Sequence, residues 1–279
     1  MVRMMINYSV YDFIDDEEVL QTIINNKHKP GKQFLKSCEA FIREDYNKYK
    51  NNTNNLSDII PDTRITSESK DILIKTYEDN PKALRLMKKN IKEGLPDILK
   101  AKCPYCMISA HNTFDHYLDK ANYPEYALFS LNLVPACSEC NSYKNKEFLD
   151  ENGNRLFVNF MFDPLPDYPF LKFKIGFTDG KPFLIDIYLE FRDYSPINDI
   201  ILNHFEKLRL YDRLKQQFEN FISITIAEFK EYMLDKISVK RLLEAKINAW
   251  ERIRGMNNWE ICILRGILDN EDILNDISS

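Results

Sequence analysis

Residues 103–144 read CPYCMISAHNTFDHYLDKANYPEYALFSLNLVPACSECNSYK, and this stretch decides how the rest of the chain is interpreted. A C-x-x-C pair stands near each end of it, and the 30 residues 107–136 separate the two pairs. Each pair makes a tight turn that aims both sulfurs at one point, so together they can supply four thiolates to one tetrahedral zinc ion. The predicted zinc ligands are Cys103, Cys106, Cys137 and Cys140.

The remaining cysteines, Cys38 and Cys262, stand alone in mostly apolar, helix-like surroundings. A redox site would need only one C-x-x-C pair beside a thioredoxin-like βαβ pattern, which this sequence lacks. The distribution therefore favours structural zinc over disulfides, with Cys38 and Cys262 as small buried apolar residues. Because four sulfurs fill the coordination sphere of the zinc, the ion is predicted to have no open position for catalysis.

An Asp–His pair, Asp115–His116, lies between the cysteine pairs, and the second pair belongs to the motif N-L-x-P-x-C-x-x-C-N-x-x-K over residues 132–144. This order of motifs resembles the zinc-bound subgroup of HNH endonucleases. Their ββα-metal fold holds one catalytic divalent ion between a hairpin and a helix. The resemblance covers about 45 of the 279 residues and fills nearly every position that defines the family.

The resemblance implies a role for each motif residue. His116 would be the general base that takes a proton from the attacking water, while Asp115 and Asn141 would hold a catalytic Mg²⁺ or Mn²⁺ ion. Asn132 would pin the loop that orients His116. A histidine titrates near neutral pH, and carboxylate and carboxamide oxygens suit Mg²⁺, so the chemistry agrees. Lys144 is interpreted either as a contact to a neighbouring phosphate or as a solvated surface lysine.

Three features of the sequence bear on the roles given to Asp115 and His116. Adjacent residues of a regular strand point to opposite faces, so Asp115 and His116 can serve one site only from a strand end or a bulge. An alternating strand would place Phe114 and His116 on one face, as a core-facing histidine requires. Asp119 stands where such proteins often have proline and adds a negative charge near the site. His111 is interpreted as a second base, a substrate contact or a loop histidine without a role.

The flanking sequence predicts an α+β fold, with mainly helical lobes on either side of the central zinc-stabilised ββα core and a small antiparallel β segment. Helical spacing occurs over Ser67–Asp79, Pro81–Glu93 and Ser238–Gly255, whereas residues 157–160, 170–175 and 183–188 favour strands. Thr178–Lys181 predicts a hairpin turn. The predicted domains are a helical lobe at 1–102, the nuclease core at 103–150, a β-hairpin extension at 151–194 and a helical lobe at 195–279.

The net charge of −5 is not the electrostatic footprint of a domain that clamps nucleic acid unaided. Residues 85–102 carry six basic against two acidic residues, which either attract phosphate or form a solvated helix face. No window approaches 18 consecutive apolar residues, and the apolar stretch within residues 1–8 is too short for a secretory signal. These features predict a cytoplasmic protein without a membrane span.

The sequence therefore predicts a metal-dependent HNH endonuclease that hydrolyses DNA, with RNA not excluded as substrate. Residues 162–171 and 254–259 resemble, less specifically, bacterial HNH proteins with helical extensions. Some of these are nucleases of antiviral systems of the Septu type, so the resemblance implies a partner ATPase and an antiviral role; a homo-oligomer stays open. The alternative is a zinc-stapled nucleic-acid- or protein-binding module with a vestigial nuclease site.

Overall fold

The computed structural model describes residues 14–279, which divide into two compact units. Within that range, residues 14–105 and 109–163 form the first unit, and residues 106–108 and 164–279 form the second. The boundary between residues 163 and 164 lies within the predicted hairpin extension at 151–194. Residues 1–8, interpreted above as too short for a secretory signal, lie outside the described residues. None of the described helices is long and apolar enough to span a membrane.

The first unit begins with a helical layer. Its helices are α1 (Asp16–Asn26), α2 (Gly31–Asn51), α3 (Ser67–Asp79), α4 (Lys82–Gly94) and α5 (Asp97–Ala101). The predicted helix over Ser67–Asp79 is confirmed as α3. Asp15 caps α1 by accepting from the backbone N–H groups of Glu17 and Glu18. Cys38 lies buried on α2, as expected of a small apolar residue.

A hairpin and a short helix complete this unit. Strand β1 (Thr113–His116) pairs antiparallel with β2 (Leu133–Ala136), in a register that sets Asp115 opposite Val134. Helix α6 (Ser138–Lys144) follows β2 directly, and Cys137 is its N-cap. A long loop containing two single-turn 3-10 helices joins the strands. The mixed α and β class with small antiparallel sheets is therefore confirmed.

Aromatic packing attaches the β1–β2 loop to α2. The ring of Tyr46 stacks on Phe129 at a centroid distance of 4.2 Å, and Tyr49 meets the same ring edge-on at 5.2 Å. The Tyr49 hydroxyl also donates to the carbonyl of Leu131. Because these rings are almost fully buried, the loop is anchored in the core of the helical layer.

The second unit contains a longer hairpin and five helices. Strand β3 (Leu171–Thr178) pairs with β4 (Lys181–Leu189) through the predicted turn, where Asp179 and Gly180 have positive φ, so the hairpin prediction is confirmed. The helices are α7 (Pro196–Lys207), α8 (Leu210–Glu231), α9 (Lys236–Arg254), α10 (Trp259–Leu268) and α11 (Glu271–Ile277). Gly266 lets α10 approach β3 closely, because an added Cβ would lie 2.9 Å from the carbonyl oxygen of Phe173.

Two details of the sequence interpretation are wrong. Residues 157–160 form no strand, because the Asp163 carboxylate accepts from the backbone N–H of Asn159 and from Arg155, which folds the segment into a turn. Helix α9 begins two residues before the predicted Ser238, and its cap is Asp235, whose carboxylate accepts from the backbone N–H of Ser238.

Candidate zinc centre and Asp–His strand

The four motif cysteines converge in the structure. Their Sγ atoms all lie within 4.8 Å of one another, and all four residues are buried. Tetrahedral zinc with bonds of about 2.3 Å needs sulfurs that lie roughly 4 Å apart, so this donor set fits a structural zinc ion. The cysteines predicted from the sequence are thus brought together in one place: Cys103, Cys106, Cys137 and Cys140.

Backbone geometry explains why each C-x-x-C segment turns sharply. Met107 directly follows the first pair with a φ of 57°, and the N–H of Ile108 points at the Sγ of Cys106 at 3.4 Å. In the second pair, the N–H of Cys140 points at the Sγ of Cys137 at the same distance. Backbone N–H groups directed at sulfur favour thiolates, the form that binds zinc.

Asp115 lies at the end of β1 and is 2 % exposed. The hydroxyl of Tyr105 donates to its Oδ2 at 2.8 Å, and the Nζ of Lys144 lies 3.2 Å from the same oxygen. Burial raises the pKa of this carboxyl, while Lys144 and the Tyr105 hydrogen bond act to lower it. Tyr105 lies between the first two cysteines and Lys144 ends the helix that the second pair begins, so the cysteine frame positions both partners of Asp115.

The position of Lys144 corrects both interpretations of this residue. Its side chain is fully buried rather than solvated. Its ammonium pairs with Asp115 and donates to the carbonyl of His116 at 2.9 Å, so it is not available to a phosphate. A buried lysine needs a carboxylate partner, because an isolated ammonium in an apolar interior is costly.

His116 is 7 % exposed and has a different set of neighbours. Its Nε2–H donates to the carbonyl of Ala127 at 3.0 Å, which leaves Nδ1 as the proton acceptor of the neutral ring. The ring of Tyr77 meets it edge-on at a centroid distance of 4.3 Å. Burial lowers the pKa of His116 to about 3, and the nearby positive charge of Lys120 contributes, so the ring is neutral at physiological pH.

Asn132 holds the loop that follows His116. Its Oδ1 accepts from the backbone N–H of Leu118 at 2.7 Å, and its Nδ2 donates to the carbonyls of Leu118 and Tyr126. The adjoining carbonyl of Ala127 is the acceptor for His116, so Asn132 also stabilises the contact that orients the imidazole. This fully buried amide is a positioning residue.

Asp115 and His116 make separate sets of contacts in the structure. Both residues of the Asp–His pair lie at the end of β1, as required, but Asp115 contacts Tyr105 and Lys144 whereas His116 contacts Ala127. Within residues 14–279, no hydrogen bond joins the side chain of Asn141 to either. Since the oxygens of Asp115 are engaged and buried, they do not fit a ligand of Mg²⁺ or Mn²⁺ in this arrangement.

Two further candidate residues lie nearby. The carboxylate of Asp119 accepts from the backbone N–H groups of Ala121 and Asn122, so it stabilises a turn instead of facing a substrate. Both ring nitrogens of His111 are buried without a hydrogen-bond partner among the described residues, and burial lowers its pKa. The roles considered for His111 therefore stay predictions.

The sequence did not identify Tyr105 and Tyr77, the aromatic residues that contact Asp115 and His116 respectively. Tyr105 occupies a variable position of the first C-x-x-C pair, and only the Asp115 hydrogen bond shows its use. Tyr77 lies on α3, 39 positions before His116 in the chain, so no local pattern connects the two. The position of Tyr105 between two predicted zinc ligands was the sequence feature that could have indicated its contact with Asp115.

Part of the chain is similar to a phage protein. The chain is 27 % identical over 180 residues to the protein Ea31 of Escherichia phage lambda. That similarity covers 58 % of this chain and 55 % of Ea31, so the match spans about half of the relative's length. No family model matches the chain. No solved structure matches it either.

Proposed function

We propose that the chain is an endonuclease of the HNH type that hydrolyses phosphodiester bonds in DNA, with His116 as the general base. The observation that carries the proposal is the oriented imidazole at the end of β1, in a hairpin-and-helix unit framed by four cysteines. Nδ1 accepts the proton of the attacking water because Nε2–H is held by Ala127. A base with a pKa of about 3 is weak, so an anionic phosphate beside the ring is needed to raise its proton affinity.

Zinc held by the cysteines stabilises this unit and has no open coordination position. The Asp115 carboxylate is engaged by Tyr105 and Lys144. We therefore assign it a structural role, in which it pairs with Lys144 and does not bind a divalent ion. The partner ATPase and the antiviral role remain predictions from the resemblance. Co-purification with the products of neighbouring genes tests both.

The test is nicking of supercoiled plasmid by the purified chain, with Mg²⁺, with Mn²⁺ and without added divalent ions. Single-stranded DNA and RNA are included as further substrates. We expect conversion of supercoiled to open-circular plasmid. Failure to cut any substrate, both alone and with the products of neighbouring genes, would remove the proposal.

A second candidate is a zinc-stabilised binding module whose nuclease site is vestigial. The observation in its favour is the buried ion pair between Asp115 and Lys144, which occupies the carboxylate that the resemblance assigns to a metal. This candidate predicts nucleic-acid binding without cleavage. It also predicts that His116→Ala leaves the biological activity unchanged.

A further inference from the structure

Three lysines gather on the side of β1 that carries His116. The Nζ of Lys88 lies 3.8 Å from the centroid of the Tyr77 ring, and the Nζ of Lys120 lies 5.0 Å from the same centroid. The edge of that ring contacts the imidazole of His116. Two ammonium groups are therefore one aromatic ring away from the proposed base.

The third lysine extends the cluster along the strand. The Nζ of Lys92 lies 5.2 Å from the centroid of the Phe114 ring, and that of Lys88 lies 5.9 Å from it. Phe114 precedes His116 by two positions on β1, so the two side chains share one face. Lys88 and Lys92 are one turn apart on α4 and therefore present their charges side by side.

These charges are poorly compensated. Glu78 pairs with Lys120 at 2.9 Å in an exposed ion pair, and Lys88 donates to the neutral amide oxygen of Asn80. Across the described part of the chain, neither Lys88 nor Lys92 has a carboxylate within ion-pair distance. Burial, and then the charges of Lys120 and Lys92, lower the pKa of Lys88 to about 8. Like charges held together in this way favour a bound anion.

We propose that Lys88, Lys92 and Lys120 form a phosphate-binding surface that takes the sugar–phosphate backbone of a nucleic acid and brings it to His116. The inference deepens the proposed function and rests on it, since it names the contacts that deliver the scissile strand to the base. A local basic surface also explains how a chain of net charge −5 can engage a polyanion.

The test is binding of a fluorescein-labelled DNA duplex, followed by fluorescence anisotropy in a salt series without added divalent ions. In the variant Lys88→Gln/Lys92→Gln/Lys120→Gln, we expect at least about tenfold weaker binding at low salt. The slope of log K against log salt should fall by about 2 to 3, since each lost phosphate contact lowers it by roughly 0.9.

The control is Lys230→Gln/Lys236→Gln/Lys240→Gln, which changes the net charge equally at three surface ion pairs of the other unit. It should bind like wild type. Equal weakening in both triple variants, wild-type binding by the first variant, or no binding by the wild type would overturn the proposal. Equal affinity of the wild type for polyglutamate and DNA would do so too, because it would indicate general attraction to polyanions.

Two measurements keep the result interpretable. If the first triple variant fails to fold, Lys92→Gln alone should lower the salt slope by about 1, and an unchanged slope would contradict the proposal. Plasmid nicking is measured on the same wild-type sample. If binding behaves as stated but no plasmid is cut, the phosphate surface stands and the proposed hydrolysis fails.

Discussion

The two hairpins share an antiparallel two-stranded topology but are stabilised differently. In β1–β2 each strand has four residues, and the hairpin carries a buried carboxylate, a buried imidazole and the cysteine frame. In β3–β4 the strands have eight and nine residues, and Phe173 and Ile175 on one face pack toward α10. Strands of four residues bury little apolar surface, so we expect the short hairpin to depend on a zinc ion and on polar contacts, and the long hairpin to depend on packing.

Removal of a predicted zinc ligand should give the largest loss of stability in the short hairpin. In Cys140→Ser we expect zinc loss and unfolding of the first unit, because apparent zinc-binding free energies reach about 10 kcal/mol in small zinc domains. Elemental analysis and circular dichroism measure both. The control is Cys38→Ser, a buried cysteine outside the cluster, which should keep zinc. Equal zinc content in the two variants would refute the four-cysteine site.

Breaking the buried ion pair should come next. Lys144→Met leaves the carboxylate of Asp115 uncompensated and should lower the free energy of unfolding by about 3 to 5 kcal/mol in urea denaturation. Adding Asp115→Asn should restore part of that loss. The exposed neighbour Lys146→Met should cost less than about 0.5 kcal/mol. Additive losses in the double variant would show that the pair is not coupled.

The long hairpin should respond to loss of packing without losing zinc. Phe173→Ala removes a buried ring that stacks near Phe218, which should cost about 3 to 5 kcal/mol. The control Phe183→Ala truncates a ring that is 43 % exposed and should cost far less. Zinc content is measured on both variants. Zinc release in Phe173→Ala would contradict the expectation that the two hairpins are stabilised independently.

The smallest predicted effect concerns pH. Burial raises the pKa of Glu125, on the loop before Ala127, to about 7 from an ordinary value of 4.5. Its stabilising contribution is therefore complete below pH 4.5 and is lost as pH rises to 7. Glu125→Gln keeps an acceptor for the N–H of Asp62 and should be about 3 kcal/mol more stable than wild type at pH 8, with no gain at pH 4.

Urea denaturation at both pH values measures this difference. The exposed Glu151→Gln is the matched control and should shift neither midpoint. A Glu125→Gln variant that gains equally at pH 4 and pH 8 would contradict the assignment of the effect to ionisation.

Patterns with local causes were predictable from the sequence. The cysteine spacing predicted the cluster, since each tight turn brings its own sulfurs together. The residues Asp179 and Gly180 predicted the hairpin turn, because both tolerate positive φ. Helix α3 was predicted to the residue from its polar and apolar periodicity.

Contacts between distant segments were not predictable. The burial of Lys144 follows from the position of Asp115 across the unit, which no spacing on α6 encodes. The lysine cluster depends on α4 and the β1–β2 loop meeting at Tyr77. The basic stretch 85–102 was visible, but its proximity to His116 required the tertiary structure.

The role of His116 as general base is tested by plasmid nicking with wild type and His116→Ala, with zinc content measured on the same samples. We expect one zinc ion per chain in both proteins, together with cleavage by wild type that is lost in the variant. Equal cleavage by the two proteins, at equal zinc content, would contradict His116 as the base.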